Sequence, residues 1–299
     1  MRSLIEVRRL LHANYNCTDV AVLERWYTEL FGLQPVMRTD SADTPGVAFG
    51  LRMDTAHRTA FLYDHRGARR TTALELVQWV TPPTIGEAYE DPWDRGIQAL
   101  AFAAPDLDGI AAQVATAGGT VVRRGRDWLL AKDPECVNVE VYRADAPPEQ
   151  VHVRLTVDDL GRTTDWWSAL GFEPAAAAIR VPAADIWPGN RERAVTDEIA
   201  VVATDDPTFA LNFTTWSGPP PVGPSYGAPF HRGLYRLAMA VDDVHGAWEK
   251  LRADGLATQP PYTFQLPGTR ITEGLTILFL RDPDGILVEL VERPRSFFQ

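Results

Sequence analysis

The sequence predicts an α+β fold built by tandem duplication, in which each half contains two small modules of strands and one helix. Three observations predict this fold. Segments of the first half return in the second half at a nearly constant spacing. A shorter pattern occurs twice within each half, and strand-like alternation of apolar residues flanks short stretches with helical spacing.

The long repeat is clearest where the chain reads ALELVQW over 73–79 and ALNFTTW over 210–216, an offset of 137 residues. The same offset continues without a gap to Gly118 and Gly255. Upstream the offset is 140 and downstream it is 149, as small loop insertions would produce. These two offsets pair His12 with His152, Asp19 with Asp159 and Glu140 with Glu289.

The shorter pattern predicts the order β-α-β-β-β four times. Each module opens with an alternating strand, an aspartate such as Asp19 or Asp106 can cap the helix, and a glycine ends it. We expect two domains, separated near Pro147-Pro148 in a linker spanning 142–150. Their predicted bounds are 1–145, with modules at about 8–92 and 93–145, and 146–299, with modules at about 148–228 and 229–299.

Composition limits the classes of function. A chain of 299 residues with 45% hydrophobic residues can bury two cores. The net charge of −11 and the lack of a basic stripe argue against a nucleic-acid partner. No window has the ~18 apolar residues of a membrane span, so we expect a cytoplasmic protein. Cys17 and Cys136 lie in unrelated segments, which indicates neither a disulfide framework nor a structural zinc site.

Four segments with their counterparts in the second half resemble the vicinal oxygen chelate (VOC) superfamily of glyoxalases, extradiol dioxygenases and bleomycin-resistance proteins. They are LLHANYNCTD, ALELVQW, GIQALAFAAPDLD and the strand after Asp133-Pro134. The resemblance implies modules paired into open half-barrels with helices on the outer face, and a divalent metal held by the first and last strands of each module. The corresponding positions here are His12 and Glu75, Ala99 and Glu140, His152 and Asn212, and Arg236 and Glu289.

The first half is the better metal candidate on chemical grounds, because His12, Glu75 and Glu140 offer one imidazole and two carboxylates. That set suits one divalent ion among Mg, Mn, Co, Ni, Zn and Fe(II), whereas Arg236 would repel a cation in the second half. A protein without metal is the alternative. Alternation places further polar and aromatic residues on the same strand faces. The predicted substrate-binding residues are Asn14, Asn16, Trp79, Tyr142, His152, Arg154, Asn212, Trp216, Arg236 and Glu289.

The pairing of modules is open at this level. The short linker favours pairing module one with two and three with four, because short connections usually join spatial neighbours. Pairing one with four would instead place His12 and Glu75 opposite Arg236 and Glu289. Structural interpretations also remain for these residues: His12 as a core residue, and Glu289 as the partner that neutralises Arg236. The repeated Trp-x-x-Pro-Pro segments at Trp79 and Trp216 are interpreted as rigid loops.

Two functions follow from the resemblance. The first is a glyoxalase-like or dioxygenase-like enzyme that acts on a small oxygen-bearing molecule through one metal ion, with Glu75 or Glu140 moving the proton. Isomerase or lyase chemistry fits better than ring cleavage, because ring-cleaving enzymes use two histidines and Ala99 stands at the second position. The alternative is a metal-free protein that binds a small molecule or natural product, or a metal-independent enzyme. We expect a monomer or homodimer with no membrane partner.

Overall fold

The computed structural model describes residues 3–175, 181–187, 196–217, 219–257, 259–264 and 274–293. Within these residues the chain folds into four β-α-β-β-β modules, as the sequence predicts. The first contains β1 (Arg9–Cys17), α1 (Val20–Phe31), β2 (Gln34–Pro45), β3 (Asp54–Tyr63) and β4 (Ala73–Thr81). The second contains β5 (Gly96–Ala104), α2 (Leu107–Thr116), β6 (Thr120–Arg124), β7 (Trp128–Lys132) and β8 (Asn138–Arg143).

The second half repeats this order with one added helix, α4. The third module contains β9 (Glu149–Thr156), α3 (Leu160–Ala169), β10 (Phe172–Pro174), α4 (Ala183–Ile186), β11 (Thr196–Ala203) and β12 (Asp206–Trp216). The fourth contains β13 (Gly233–Val241), α5 (Val244–Ala253), β14 (Tyr262–Phe264), β15 (Leu275–Arg281) and β16 (Leu287–Glu292). A 3₁₀ helix at Gly46–Phe49 lies between β2 and β3.

The helix ends follow the sequence signals. The side chain of Asp19 accepts hydrogen bonds from the backbone N–H groups of Ala21 and Val22 at the start of α1, and Gly32 ends that helix with a positive φ of 67°. A residue with a Cβ adopts this φ only at a cost, so glycine suits the position. The helix then buries one apolar stripe. Its buried residues are Leu23, Trp26, Tyr27, Leu30 and Phe31.

The sheets cross between the halves of the chain. Sheet I has the order β14-β15-β16-β13-β1-β4-β3-β2, which joins modules one and four, and sheet II has the order β10-β11-β12-β9-β5-β8-β7-β6, which joins modules two and three. The favoured pairing of one with two and three with four is therefore wrong. The linker does join neighbours, because β8 and β9 both lie next to β5, but those neighbours belong to modules two and three.

The longer connections carry the chain from one sheet to the other. These are the repeated segments that follow Trp79 and Trp216, and they pair with each other through bridges between Ile85 and His231 and between Asp94 and Val222. The rings of Tyr89 and Tyr226 stack with centroids 4.0 Å apart. These segments are therefore the crossing connections of the fold.

The two curled sheets share an apolar core on the side that carries their helices. In that core Phe31 of α1 stacks on Phe102 of β5, with ring centroids 4.0 Å apart, so module one packs on sheet II. The opposite face of each sheet forms a concave surface, which we call the first cup in sheet I and the second cup in sheet II. Among the described residues, no helix has the length and apolar character needed to cross a membrane.

Candidate functional site

Four neighbouring strands carry charged side chains into the first cup. β1 runs parallel to β4 with Asn14 opposite Glu75, and antiparallel to β13 with Asn14 opposite Arg236. β16 adds Glu289 on the far side of β13. Because side chains alternate between the faces of a sheet, His12 and Asn14 point to the same side as these charged groups.

Arg236 stands at the centre of this group. Its Nη2 donates to Glu75 Oε2 at 2.8 Å and Oε1 at 3.1 Å, and its Nε donates to Glu289 Oε2 at 2.8 Å. Asn14 Nδ2 also donates to Glu75 Oε2, at 3.0 Å. His12 Nε2 lies 3.3 Å from Glu75 Oε2 and 3.7 Å from Glu289 Oε2, but it is aligned for a hydrogen bond with neither. One guanidinium thus bridges both carboxylates.

Arg236 and Glu289 favour the ionised form of each other. Burial would raise the pKa of Glu289, but the positive charge of Arg236 outweighs that effect and lowers this pKa to about 2. Burial would likewise lower the pKa of Arg236, yet Glu75 and Glu289 raise it above its ordinary value. With one cation and two anions beside His12, the site has a net charge of about −1 when the imidazole is neutral.

Aromatic rings cover the charged group. The ring of Phe49, from the 3₁₀ helix, lies 5.8 Å from Arg236 Cζ and 5.4 Å from the ring of Trp79, measured between centroids. His57 of β3 also packs edge-on against Trp79, and burial lowers its pKa, which keeps the ring neutral. The buried atoms His57 Nδ1 and Asn14 Oδ1 have no hydrogen-bond partner in the described part of the chain. The first cup therefore combines an apolar wall with polar atoms that can accept a ligand.

The second cup also contains an arginine between two carboxylates. Arg154 Nε donates to Glu140 Oε1 at 2.6 Å, and Nη1 donates to Glu198 Oε2 at 3.0 Å. Its Nη2 donates to Glu140 Oε2 and to the Tyr142 hydroxyl. The charge of Arg154 holds the pKa of Glu140 well below its usual range, although burial alone would raise it.

A segment around α4 closes the second cup over this group. Trp187 Nε1 donates to Glu140 Oε1 at 3.1 Å, the backbone N–H of Ala183 donates to Glu198, and Arg154 donates to the carbonyl of Val181. The side chains of Arg154 and Glu140 are 1% and 0% exposed. Side chains and backbone groups of the protein itself therefore fill and close the second cup.

The structure corrects the predicted ligand set. It brings His12 and Glu75 together, but it places Glu140 in sheet II, where Glu140 binds Arg154. The second-half residues are also divided between the cups. Arg236 and Glu289 join His12 in the first cup, and their expected pairing is present. The grouping of Glu140 with His12 and Glu75 depended on the wrong module pairing, whereas the roles of these residues in metal binding or catalysis stay predictions.

The other predicted binding residues differ in how many of their polar side-chain atoms are hydrogen-bonded within the protein. Asn16 donates to the carbonyls of Pro229 and His231 and accepts from Trp79 Nε1, so its amide is fully engaged. Trp216 Nε1 donates to Thr156 Oγ1 in the second cup. Asn212 is fully buried beside Arg154, and neither polar atom of its side chain has a partner among the described residues.

Comparison with known proteins agrees with the resemblance in the sequence. The family model of the Glyoxalase/Bleomycin resistance protein/Dioxygenase superfamily matches residues 9–130 and 149–290. The chain belongs to this superfamily. Both matched segments start near the first strand of a half, at β1 and β9, which agrees with the internal duplication.

Solved structures share the fold over nearly the whole chain. Glyoxalase I from Zea mays is 22% identical with a TM-score of 0.65, and the match covers 95% of this chain and 92% of the maize chain. A point mutant of the maize enzyme gives 23% identity and a TM-score of 0.68, covering 95% and 93%. A putative dioxygenase from Bacillus subtilis is 14% identical with a TM-score of 0.57, covering 96% and 86%. No protein with curated function matches the chain.

The side chains of this VOC protein do not fit the divalent metal that the superfamily implies. In the first cup, the oxygen atoms that would bind the ion already accept hydrogen bonds from Arg236. In the second cup, Arg154 holds Glu140 in the same way. Consistent with this, the described residues contain no group of three or more His, Cys, Asp or Glu arranged to hold a metal ion.

Sequence reasoning missed four residues of the two cups. They are Phe49 and His57 in the first cup, and Trp187 and Glu198 in the second. One signal could have found two of them: Phe49 and Trp187 stand 138 positions apart, close to the upstream repeat offset of 140. Each covers its cup from the connection that precedes β3 or β11. His57 and Glu198 also stand 141 positions apart, but they are not equivalent in the sheets, because His57 lies opposite Trp79 whereas Glu198 lies opposite Thr214.

Proposed function

We propose that this VOC protein is an enzyme of the isomerase or lyase type, and that it binds a small oxygen-bearing molecule in the first cup. The observation that carries the proposal is the convergence of His12, Glu75, Arg236 and Glu289 on one cup face. His12 retains 12% exposure of its side chain, whereas its counterpart His152 retains 1%. A ligand can therefore reach the first cup more easily than the second.

His12 is the proposed proton carrier. Its Nε2 makes no aligned hydrogen bond, and the negative charge of the Glu75 carboxylate 3.3 Å away can stabilise the imidazolium. Glu75 is itself held by Asn14 and Arg236, which suits this electrostatic role better than proton transfer. Glu140 has no part in this step, because Arg154 and Trp187 enclose it in the other cup.

The proposed step begins at a carbon next to a carbonyl group. His12 takes a proton from that carbon, the electron pair of the C–H bond forms a carbon–carbon double bond, and the carbonyl π electrons move to the oxygen, giving an enolate. In an isomerase the proton of the adjacent hydroxyl group passes to that oxygen, and His12 returns its proton to the former carbonyl carbon. In a lyase the electrons return from the oxygen and expel a leaving group from the next carbon. Either outcome needs a positive group near the oxygen.

Deuterium uptake tests this function. Purified protein is incubated in D₂O with a panel of α-hydroxy ketones and α-hydroxy aldehydes, and exchange at the carbon is followed by proton NMR. His12→Ala should slow the exchange by about 100-fold or more, the usual contribution of a general base. His152→Ala, the matched variant in the second cup, should leave it unchanged. Equal losses in both variants would contradict the assignment of the first cup.

A metal-free binding protein is the second candidate, and the aromatic cover of the first cup favours it. Phe49, Trp79 and Phe279 form an apolar cluster suited to the flat face of a ligand. Such a protein would be stabilised thermally by a compound of the panel without exchanging its protons. Exchange that depends on His12 would rule this candidate out, and a panel that neither binds nor exchanges would count against both functions.

A further inference from the structure

We infer that Arg236 is the resident cation of the first cup: it replaces the divalent metal and presents Nη1 to an oxygen of the ligand. The ligand class is a small molecule with a carbonyl or carboxylate oxygen. The exclusion of metal is independent of the proposed enzymatic activity. The ligand contact rests on the proposed function, because it assumes that the first cup is the binding site.

Arg236 reaches Glu75 with Nη2 and Glu289 with Nε, so a single rigid guanidinium holds both carboxylates of the first cup. A divalent ion on these oxygens would have to displace the arginine or lie beside a permanent positive charge. Arg236 is 7% exposed and has little room to move aside.

The second cup reaches the same arrangement with an arginine from another strand. The position equivalent to Arg236 at the offset of 137 is Ala99, which cannot supply a cation. Arg154 of β9 supplies it instead and bridges Glu140 and Glu198. Two cups with different arginine positions thus both place a guanidinium between two carboxylates. In each cup the protein itself supplies the cation that lies between the carboxylates.

The two arginines differ in the donors that remain. All three nitrogen atoms of Arg154 donate to protein groups, and Nη1 alone reaches both Glu198 and Thr214. Nη1 of Arg236 makes no hydrogen bond with a residue that the structure describes, and Phe49 covers the guanidinium at 5.8 Å. Arg236 can therefore donate to a ligand oxygen, whereas Arg154 is fully committed.

A carbonyl oxygen bound at Nη1 would gain negative charge in the step proposed above. The guanidinium donates hydrogen bonds to that charge and stays positive throughout, because it does not lose its proton at neutral pH. Glu75 and Glu289 fix its orientation, so no reorganisation is needed when the charge develops. In this cup the arginine supplies the electrostatic stabilisation, while His12 carries the proton.

Metal titration tests the replacement directly. Chelator-treated wild type and Arg236→His are titrated with Mn²⁺ in a calorimeter, and the bound ion is also followed by electron paramagnetic resonance. Wild type should bind no stoichiometric Mn²⁺. Arg236→His should bind one equivalent of Mn²⁺, at least about tenfold more tightly than any residual binding by wild type, which corresponds to about 1.4 kcal/mol. The reason is that the substitution removes the cation and adds an imidazole donor.

Matched variants show whether the Mn²⁺ ion binds in the first cup, and a second substitution covers the case of misfolding. Adding His12→Ala to Arg236→His should abolish the new site, whereas adding His152→Ala should preserve it. Arg236→Gln provides a second route if the histidine variant does not fold, since it also removes the charge. The inference is overturned if wild type binds one equivalent of Mn²⁺ and loses it on His12→Ala.

The ligand contact is tested by arginine side-chain NMR. Titration of wild type with pyruvate, which carries both a carbonyl and a carboxylate, should shift the ¹⁵Nη and ¹⁵Nε signals of Arg236 but leave those of Arg154 in place. Unchanged Arg236 signals would overturn the contact. Failure of the proposed enzyme is distinguishable, because proton exchange can be absent while wild type still excludes Mn²⁺ and pyruvate still shifts Arg236.

Discussion

Glu289 shows how a buried carboxylate in this chain depends on one neighbour. Its side chain is 7% exposed, and removal of its charge from water would be costly without the guanidinium of Arg236 at 2.8 Å. Its pKa of about 2 lies below the ordinary value of 4.5 because the ionised form is favoured in the folded state. The ionised carboxylate therefore adds stability above about pH 4.5, and this contribution is lost as the pH falls towards 2.

Replacement of Glu289 should change the acid sensitivity of the protein. Wild type should be more stable than Glu289→Gln at pH 7, and this difference should shrink by about 3 kcal/mol between pH 4.5 and 2, as the pKa shift requires. Urea unfolding at a series of pH values measures it. Replacement of the exposed helix residue Glu249 by Gln provides the control. A difference that is constant with pH would refute the link to Arg236.

Part of the candidate site could be predicted from the sequence alone. His12 and Glu75 could be placed together from the sequence, because both belong to one module and β1 pairs directly with β4. Glu140 could not be assigned, since its neighbours depend on which strand lies beside β5. The aromatic cover by Phe49 was missed because a ring in a short 3₁₀ helix gives no periodic signal, and only its spacing from Trp187 points to it.

The two crossing connections join the two halves in addition to the β1–β13 and β5–β9 ladders. Tyr89 and Tyr226 stack between them, and each ring lies over a glycine that opens the next strand. At Gly96 the φ is +136°, and an added Cβ would come within 2.5 Å of the Tyr89 hydroxyl oxygen. Since the tyrosine is held by its stacked partner, it cannot move away freely.

Gly96→Ala should consequently destabilise the fold more than an alanine at a spacious glycine. Gly223→Ala is the matched control, because Gly223 also has a positive φ, of 68°, but nothing lies within 4 Å of its added Cβ. Gly223→Ala should lower the free energy of unfolding by roughly 1–2 kcal/mol through backbone strain alone, and Gly96→Ala should lower it further. Thermal unfolding of both variants decides the matter. Equal losses of stability in the two variants would mean that the stacked tyrosines can move aside without an energetic penalty.

At the scale of the whole molecule, the sequence predicted the modules but not their partners. Alternation and capping residues are local, so they indicate each β-α-β-β-β unit correctly. The choice of β13 as the neighbour of β1 depends on surfaces far apart in the sequence. The short linker between β8 and β9 cannot identify the neighbour of β1. It obeys the rule that short connections join neighbours simply because β9 pairs with β5.

Fragments of the chain should fold according to sheet membership. Residues 93–228 contain every strand of sheet II, whereas residues 1–146 contain half of each sheet. The first fragment should therefore retain more protected β-structure than the second when each is made alone, as measured by amide hydrogen exchange. If residues 1–146 as a monomer were as well protected, the crossed pairing of the sheets would be wrong.

The crossed pairing also bears on how such a protein can diversify. A chain of half this length could form the same ladders only with a second copy of itself, and every substitution would then appear in both cups at once. Joining the two copies in one chain removes that constraint. Each cup can then change alone, and here the first cup has its arginine on β13 while the second has its arginine on β9. Duplication thus lets one cup be sealed as a support while the other remains free to acquire new ligands.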